Sequence, residues 1–415
     1  MNCEQTANLI VRNIEEGGLL RYDPNDIDAY LYHKWGIIGN PPVRKPFRVA
    51  DVYFPILLRK LLRVEKRANP TMFYHLGLAC LTREKYHLPV PFRYTAAELA
   101  EQALELYFHP DSGLWAHPYY ARVTVNPESV VEKPGVFSMA MHYVARLDIF
   151  LLALWKQYGD PHILDTAIQS VEAAARHHNI QDLGDGRKAI SYYYITNDNT
   201  LNISAEFLEA IADIPAERRS QELTDLAHGL LKMLLYEQNE DGSFYYVGKA
   251  HMEKYHIPKS IDCFHTGYTL NNLIHVYESG IFEGAEQAAL LESCQRGMQY
   301  FLDVFFNSET GEALYAVDLP THHVDAVCYA EAIFALCSYL RNPSVSGEMK
   351  KRIQALLPKA VENMIRMVDP KDGSVPGEHV LGRDINLDSI RWGNGPVLQA
   401  LFDVMALRQE GLLPA

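Results

Sequence analysis

Basic residues are in deficit in this chain: 38 Lys and Arg stand against 52 Asp and Glu, a formal net charge of −14. That balance argues against nucleic-acid binding, which draws its affinity from a basic face. Cysteine is scarce as well. The six thiols (Cys3, Cys80, Cys263, Cys294, Cys328, Cys337) are scattered through 415 residues with no CxxC pair. Reduced, buried cysteines are therefore expected, rather than a disulfide framework or a zinc site. Long apolar runs are missing too. The segment 149–155 (IFLLALW) is too short to span a bilayer and stands among Arg146, Asp148 and Lys156. Residues 1–18 carry acids early and show no basic stretch leading into an apolar one, so no signal peptide is expected. These absences predict a soluble, cytoplasmic protein without membrane insertion. No glycine-rich phosphate loop follows a strand, and there is no Gly-x-Ser-x-Gly elbow or Cys/His signature. Nucleotide binding by the usual routes and serine or thiol acyl chemistry drop out, and no cofactor is expected.

What is present is ample core. The chain is 48% hydrophobic and 22% charged, which excludes disorder by composition. From Asp51 onward most segments place apolar residues at i, i+3, i+4 and i+7, as in ARLDIFLLALWKQY, ILDTAIQSVEAAARHH and AVCYAEAIFALCSYL. Nothing alternates as βαβ. Between helices an acid-plus-glycine turn recurs, often with aromatics after it: HPDSGLWAHPYY, GDGRKAISYYY, EDGSFYYVG, SETGEALYAVD and PKDGSVPGEHV. Its glycines, Gly113, Gly186, Gly242, Gly311 and Gly373, are separated by 73, 56, 69 and 62 residues. That period is two helices plus a long connection, a helical-hairpin array. Open solenoids have shorter, more even repeats and tight loops. Long, polar, aromatic loops suit a closed ring with its site at the loop end. The expected fold is all-α, a closed α/α toroid. It forms a single unit over 1–415, in which residues 1–50 make an N-terminal helix (4–16) and a proline- and aromatic-rich loop that braces or covers the barrel.

Several stretches resemble a known family. LDIFLLALWKQYGDPHILDTAIQSVEAAAR (147–176) is similar to a hairpin of six-hairpin glycosidase-type barrels. Five further pieces resemble a bacterial polysaccharide biosynthesis family of the vps-cluster type: TNDNTLNISAEFLEAIADI, YEQNEDGSFYY, SIDCFHTGYTLNNL, LYAVDLPTHHVDAVCYAEAIFAL and SIRWGNGPVLQAL. The likeness runs over roughly residues 140–405, and its more specific elements are Asp-x-x-His-Thr-Gly and Arg-Trp-Gly. It implies an (α/α)6 barrel, a carbohydrate substrate or ligand, and association with polysaccharide biosynthesis enzymes. It supplies no reaction.

The residues themselves offer several constellations. Asp262 and His265 are three apart at the start of a helix, with Tyr268 one turn further in. A carboxylate beside an imidazole is an acid/base pair, or else a helix cap and a satisfied histidine. LPTHHVDAV repeats that arrangement with His322, His323 and Asp325, the last a second cap or a third catalytic group. Adjacent histidines are poor metal-ligand spacing on a helix, so no metal is expected. In DINLDSIRWGNG, Arg391 suits an anion clamp and Trp392 a sugar-stacking face, unless Asp388 and Arg391 merely pair with each other. Tyr193, Asn199 and Glu206 lie in or before another helix, Glu206 on a barrel wall or an exposed face. His142 and Arg146, four apart, offer a basic wall or a solvated one. Tyr245 and Tyr246 follow the Asp241-Gly242 turn.

The resulting expectation is a glycan-modifying enzyme, a hydrolase, lyase or uronate epimerase, acting by general acid/base catalysis on an anionic carbohydrate. Asp262, His265 and Asp325 are its catalytic candidates. Tyr193, Asn199, Glu206, Tyr245, Tyr246, Tyr268, His323, Asp388, Arg391 and Trp392 are its substrate-contacting ones. The alternatives are a non-catalytic glycan-binding or assembly scaffold and a terpenoid cyclase. The cyclase lacks its Asp-x-Asp-Asp motif here.

Overall fold

The computed structural model describes residues 1–414 apart from 37–40, 126–127, 133, 136–138, 320–322, 381–382, 386 and 388. The chain begins with α1 (Cys3–Gly17). Asn2 caps it in a reciprocal box: its Oδ1 accepts from Gln5 N–H at 2.9 Å, and the Gln5 side chain accepts from Asn2 N–H at 3.2 Å. Next come α2 (Asp26–Trp35), α3 (Pro41–Tyr53) and α4 (Pro55–Leu62). The sequence reading put a loop over α2 and most of α3, and a helix over α4. Pro41 and Pro42 instead occupy the first turn of α3, where a missing N–H leaves no hydrogen bond unmade.

Beyond this arm the helices alternate between two rings. The inner ring is α5 (Pro70–Tyr86), α7 (Met141–Tyr158), α9 (Leu201–Asp213), α12 (Cys263–Ser279), α14 (Ala326–Arg341) and α16 (Gly395–Gln409). Each packs on the next, and α16 returns to α5. Outside stand α6 (Ala96–Tyr107), α8 (Pro161–His177), α10 (Gln221–Glu237), α13 (Gly284–Val304) and α15 (Gly347–Arg366), each against its preceding inner helix. The sixth outer position is filled by α1, which packs on α16. A short α11 (Lys249–Tyr255) lies in the connection before α12. The two rings differ in sequence for a physical reason. An inner helix touches neighbours on both sides, behind and across the axis, so α14 is buried from Ala326 to Leu340. An outer helix has one partnered face, and α15 buries a single stripe including Ile353, Leu357, Ala360 and Met364.

Inner-to-outer connections are short, while outer-to-inner ones are long (108–140, 178–200, 238–262, 305–325, 367–394). All the long loops therefore gather at the N-terminal ends of the inner helices. Among the described residues they contain four antiparallel hairpins: β1/β2 (Phe108–His109, Leu114–Trp115), β3/β4 (Ala121–Val125, Glu128–Glu132), β5/β6 (Ile180–Asp182, Lys188–Ile190) and β7/β8 (Glu378–Val380, Arg383–Ile385). The five recurring turn glycines all have positive φ, between 71° and 93°. Gly373 shows what the turn is for. A Cβ there would lie 2.4 Å from the carbonyl oxygen of Leu9 in α1, so the last turn docks directly on the first helix and closes the ring. Gly373→Ala is expected to destabilise the fold by about 1–3 kcal/mol, through strain at positive φ and the backbone clash. An unchanged denaturation midpoint would count against this docking.

One buried apolar cluster runs from Cys3 to Leu413, and a smaller one joins Tyr22, Ile27, Leu31, Val52 and Val64 of the arm to Ile385 and Leu387. All six cysteines are free and buried. Among the described residues no helix is long and apolar enough to cross a membrane.

Candidate active site

Two adjacent inner helices begin on aspartates. Asp262 caps α12: its Oδ1 accepts from His265 N–H at 2.7 Å, and its Oδ2 accepts from His265 Nδ1–H at 2.8 Å. One carboxylate thus ends the helix and fixes the imidazole tautomer. His265 Nε2 makes no hydrogen bond among the described residues, and the side chain is 31% exposed. An imidazole oriented this way turns its Nε2 to whatever enters. Asp325 caps α14, accepting from Cys328 N–H at 2.7 Å. The two caps are brought together because α12 and α14 approach closely at Gly267, where a Cβ would sit 3.2 Å from Glu331 O.

The two carboxyls differ electrostatically. Burial pushes Asp325 up to about 6, with the charge of Asp262 adding to the rise and the Cys328 N–H and the Trp392 indole opposing it. Burial acts against Asp262 also, yet the His265 ring and backbone hold it below the usual carboxylate range. One acid is therefore protonatable near neutrality while its neighbour stays ionised, the separation on which acid/base pairs depend.

Aromatic rings surround these groups. Tyr246 lies 4.3 Å from the His265 ring, and Phe264 lies 4.4 Å from Tyr268 and 5.3 Å from Trp392, centroid to centroid. Tyr245, Tyr246, Asp262 and His265 line one small cavity with Asn202 and Thr269. The loop carrying Tyr315 is tied down by Cys263 N–H donating to Tyr315 O at 2.9 Å.

Below this floor a charged network crosses the barrel axis. Arg146 of α7 donates to Glu206 of α9 at 3.3 Å, to Glu331 of α14 at 3.4 Å and to His75 Nε2 of α5 at 2.9 Å. Its guanidinium also lies 4.2 Å from the ring centre of Tyr268 and 4.8 Å from that of Tyr74. His75 Nδ1–H donates to Gln399 of α16 at 2.7 Å, so all six inner helices contribute. His142 Nδ1–H donates to Glu206 at 2.9 Å. Burial opposes the charge on Glu206, but His142 and Arg146 together hold it below its ordinary range. Glu331 is pushed up to about 7 by burial, which Arg146 only partly offsets.

The candidates read from sequence are thus distributed as follows. Asp262, His265, Asp325, Tyr245, Tyr246, Tyr268 and Trp392 meet at the loop end, with Glu206 one layer deeper. Arg391 does not stand open. Its Nε and Nη2 donate to the two oxygens of Asp23 at 2.7 and 2.8 Å, so the arm occupies its fork. Tyr193 and Asn199 are both buried, with Asn199 O accepting from Gly248 N–H. His323 is exposed. Asp388 lies outside the described residues, as does His322. Sequence reasoning missed Tyr74, His75, Phe264, Glu331 and Gln399 and left Arg146 open between two walls. The available signal was a charge inside an otherwise apolar helix, as in VCYAEAIFAL. No group of three His, Cys, Asp or Glu able to hold a metal occurs among the described residues.

Neither a protein-family model nor a curated protein sequence matches the chain. Solved structures do. Cellobiose 2-epimerase from Bacillus thermoamylovorans superposes with a TM-score of 0.57 at 10% identity, over 81% of this chain and 88% of that one. A family 88 glycosyl hydrolase from Bacteroides vulgatus gives 0.56 at 12%, over 81% and 90%. The family 76 α-mannanase of Bacteroides thetaiotaomicron gives 0.55 at 8%, over 82% and 86%. The fold is the six-hairpin glycosidase toroid. Within that toroid the aspartates sit where the long loops converge, at the N-terminal ends of the inner helices.

Proposed function

We propose that this toroid is a glycan-modifying enzyme working by general acid/base catalysis at its loop end. The observation that carries the reading is the pair of neighbouring helix-capping aspartates, Asp325 raised and Asp262 lowered, inside a ring of aromatic side chains. Asp325 acts as the acid that protonates a leaving or enolic oxygen. His265 Nε2, aligned by Asp262, acts as the base. Tyr246, Tyr268 and Trp392 contact the sugar. A hydrolase, a lyase and a uronate epimerase can all use such a set. The similar structures include an epimerase and a hydrolase. For an anionic glycan, Arg391 is the proposed carboxylate contact, with the sugar acid taking the place of Asp23. A role beside polysaccharide biosynthesis enzymes belongs to the same proposal.

Convergence of the polar groups into one floor favours an enzyme over an extended, non-catalytic scaffold face. The buried charges of Arg146, Glu206 and Glu331 disfavour the apolar cavity that a terpenoid cyclase needs.

The test is turnover of a panel of neutral and uronate oligosaccharides, followed by product mass and NMR. Hydrolysis adds water, elimination leaves an unsaturated sugar and epimerisation leaves the mass unchanged. The pH profile is specific. An acid with a pKa of about 6 loses its proton as pH rises, so kcat/KM should fall above about pH 6. Asp262 stays ionised down to low pH, so loss of its charge should not limit activity between pH 4 and 6. The same sign applies to stability. Asp325, raised in the folded state, favours folding least once ionised, so its contribution declines as pH rises from its ordinary value through about 6. No turnover of any glycan in the panel would leave the scaffold reading standing instead.

A further inference from the structure

Among the described residues, the loop-end cavities are small. The opposite mouth of the toroid, where the short connections lie, holds a chamber of about 430 Å³. It is separated from the aspartates by the Arg146 network, and Tyr74 and Gln399 belong to both that network and the chamber wall. We propose that this chamber is a second binding site, for a neutral polyhydroxylated ligand the size of a mono- or disaccharide.

The wall is built rather than incidental. His275 Nδ1–H donates to Glu209 at 2.8 Å, its Nε2–H donates to Ser338 Oγ at 2.9 Å, and Ser338 Oγ–H donates to Asn271 Oδ1 at 2.8 Å. This relay fixes the direction of every bond in it. It leaves the Nδ2 amide of Asn271 without an acceptor among the described residues. Gln399 likewise spends its oxygen on His75, and its Nε2 donors have no partner there. Both residues are more than nine-tenths buried and both line the chamber. Two buried amide donors of this kind suit ligand hydroxyls or ring oxygens. Phe334, Ile149 and Leu78 add apolar wall for a sugar's C–H face.

Charge decides the class. Glu209 is paired with His275, Asp213 with Lys156, and Arg341 with Glu410. Glu278 and Asp403 accept from Asn342 and Thr82. An incoming anion therefore meets no free cation among the described lining residues except Lys85, exposed at the rim. The wall offers hydrogen bonds without a strong net charge, which fits a neutral polyol better than a uronate or an amino sugar.

The experiment is calorimetric titration of the full chain with glucose, mannose and cellobiose, with glucuronate and glucosamine as charged comparators. At least one neutral sugar should bind at least tenfold more tightly than either charged one. Ala153→Trp, which fills the chamber without touching its hydrogen-bond relay, should weaken that binding at least tenfold, whereas His265→Ala should leave it unchanged. The reverse pattern would put the sugar at the loop end and overturn the second site. So would binding by none of the neutral sugars, or preference for a charged one. Should Ala153→Trp not fold, crystals of the unaltered protein soaked in the tightest-binding sugar decide the matter. Density between Asn271 and Gln399 is the expected result, and density only beside Asp262 overturns the proposal. Failure of the loop-end enzyme reading would leave these outcomes unaffected.

Discussion

Asp325→Asn is expected to lower kcat by about 10²–10⁴-fold, the usual worth of a positioned general acid, while the protein melts near its original temperature. The two halves of this expectation have separate causes. Asparagine keeps a side-chain oxygen that accepts from Cys328 N–H, so α14 retains its cap. It also removes the charge that burial disfavours, so stability near pH 7 should hold or rise slightly. What it cannot do is deliver a proton, and the decline of activity above about pH 6 should disappear with it. His265→Ala should likewise abolish turnover, because among the described residues no other imidazole nitrogen is aligned by Asp262. Full activity in either variant would remove that residue from the proposed chemistry. A joint loss of activity and of about 10 °C or more in melting temperature would instead give Asp325 a structural role beyond its cap, since that exceeds what a single cap contributes.

Arg146→Met should produce the largest loss of stability. Among the described residues Arg146 is the guanidinium bonded to both Glu206 and Glu331, and all three are at least 97% buried. Removing one partner from a buried charged cluster costs about 3–5 kcal/mol, because the others remain desolvated and uncompensated. Spread over the unfolding entropy of a chain this long, that is about 4–6 °C in melting temperature. The loss should depend on pH with a definite sign. Glu331 is already raised to about 7 by burial against the pull of Arg146. Without Arg146 it rises further, so the variant is favoured where Glu331 is protonated and penalised as pH increases. The deficit measured at pH 8 should exceed that at pH 5. Adding Glu331→Gln should recover part of it at pH 8. Equal melting curves for wild type and Arg146→Met at both pH values would refute the network's structural role.

The network also shows how far the sequence could be read. Helix positions were legible because each helix is amphipathic or wholly apolar over its own length, a local property. The ring was legible because the acid-glycine turn recurs at two-helix intervals, and the five glycines do share one backbone conformation. Asp262 and His265 were legible as a pair because three residues at a helix start place them together whatever else the chain does.

Other features were settled between elements far apart in sequence. Arg391 looked like an anion clamp with Asp388 as its nearest acid, yet its fork is filled by Asp23, 368 residues away. The proline-rich arm looked like loop because proline was weighed without its position in a helical turn. Glu331 and His75 looked like ordinary helix residues until closure of the ring brought α5, α7 and α14 to one axis. Local composition and spacing thus determined the helices, their hairpin repeat and the two capping aspartates. Only the tertiary structure decided which charges meet, because a buried ion finds its partner across the axis of the ring rather than along the chain.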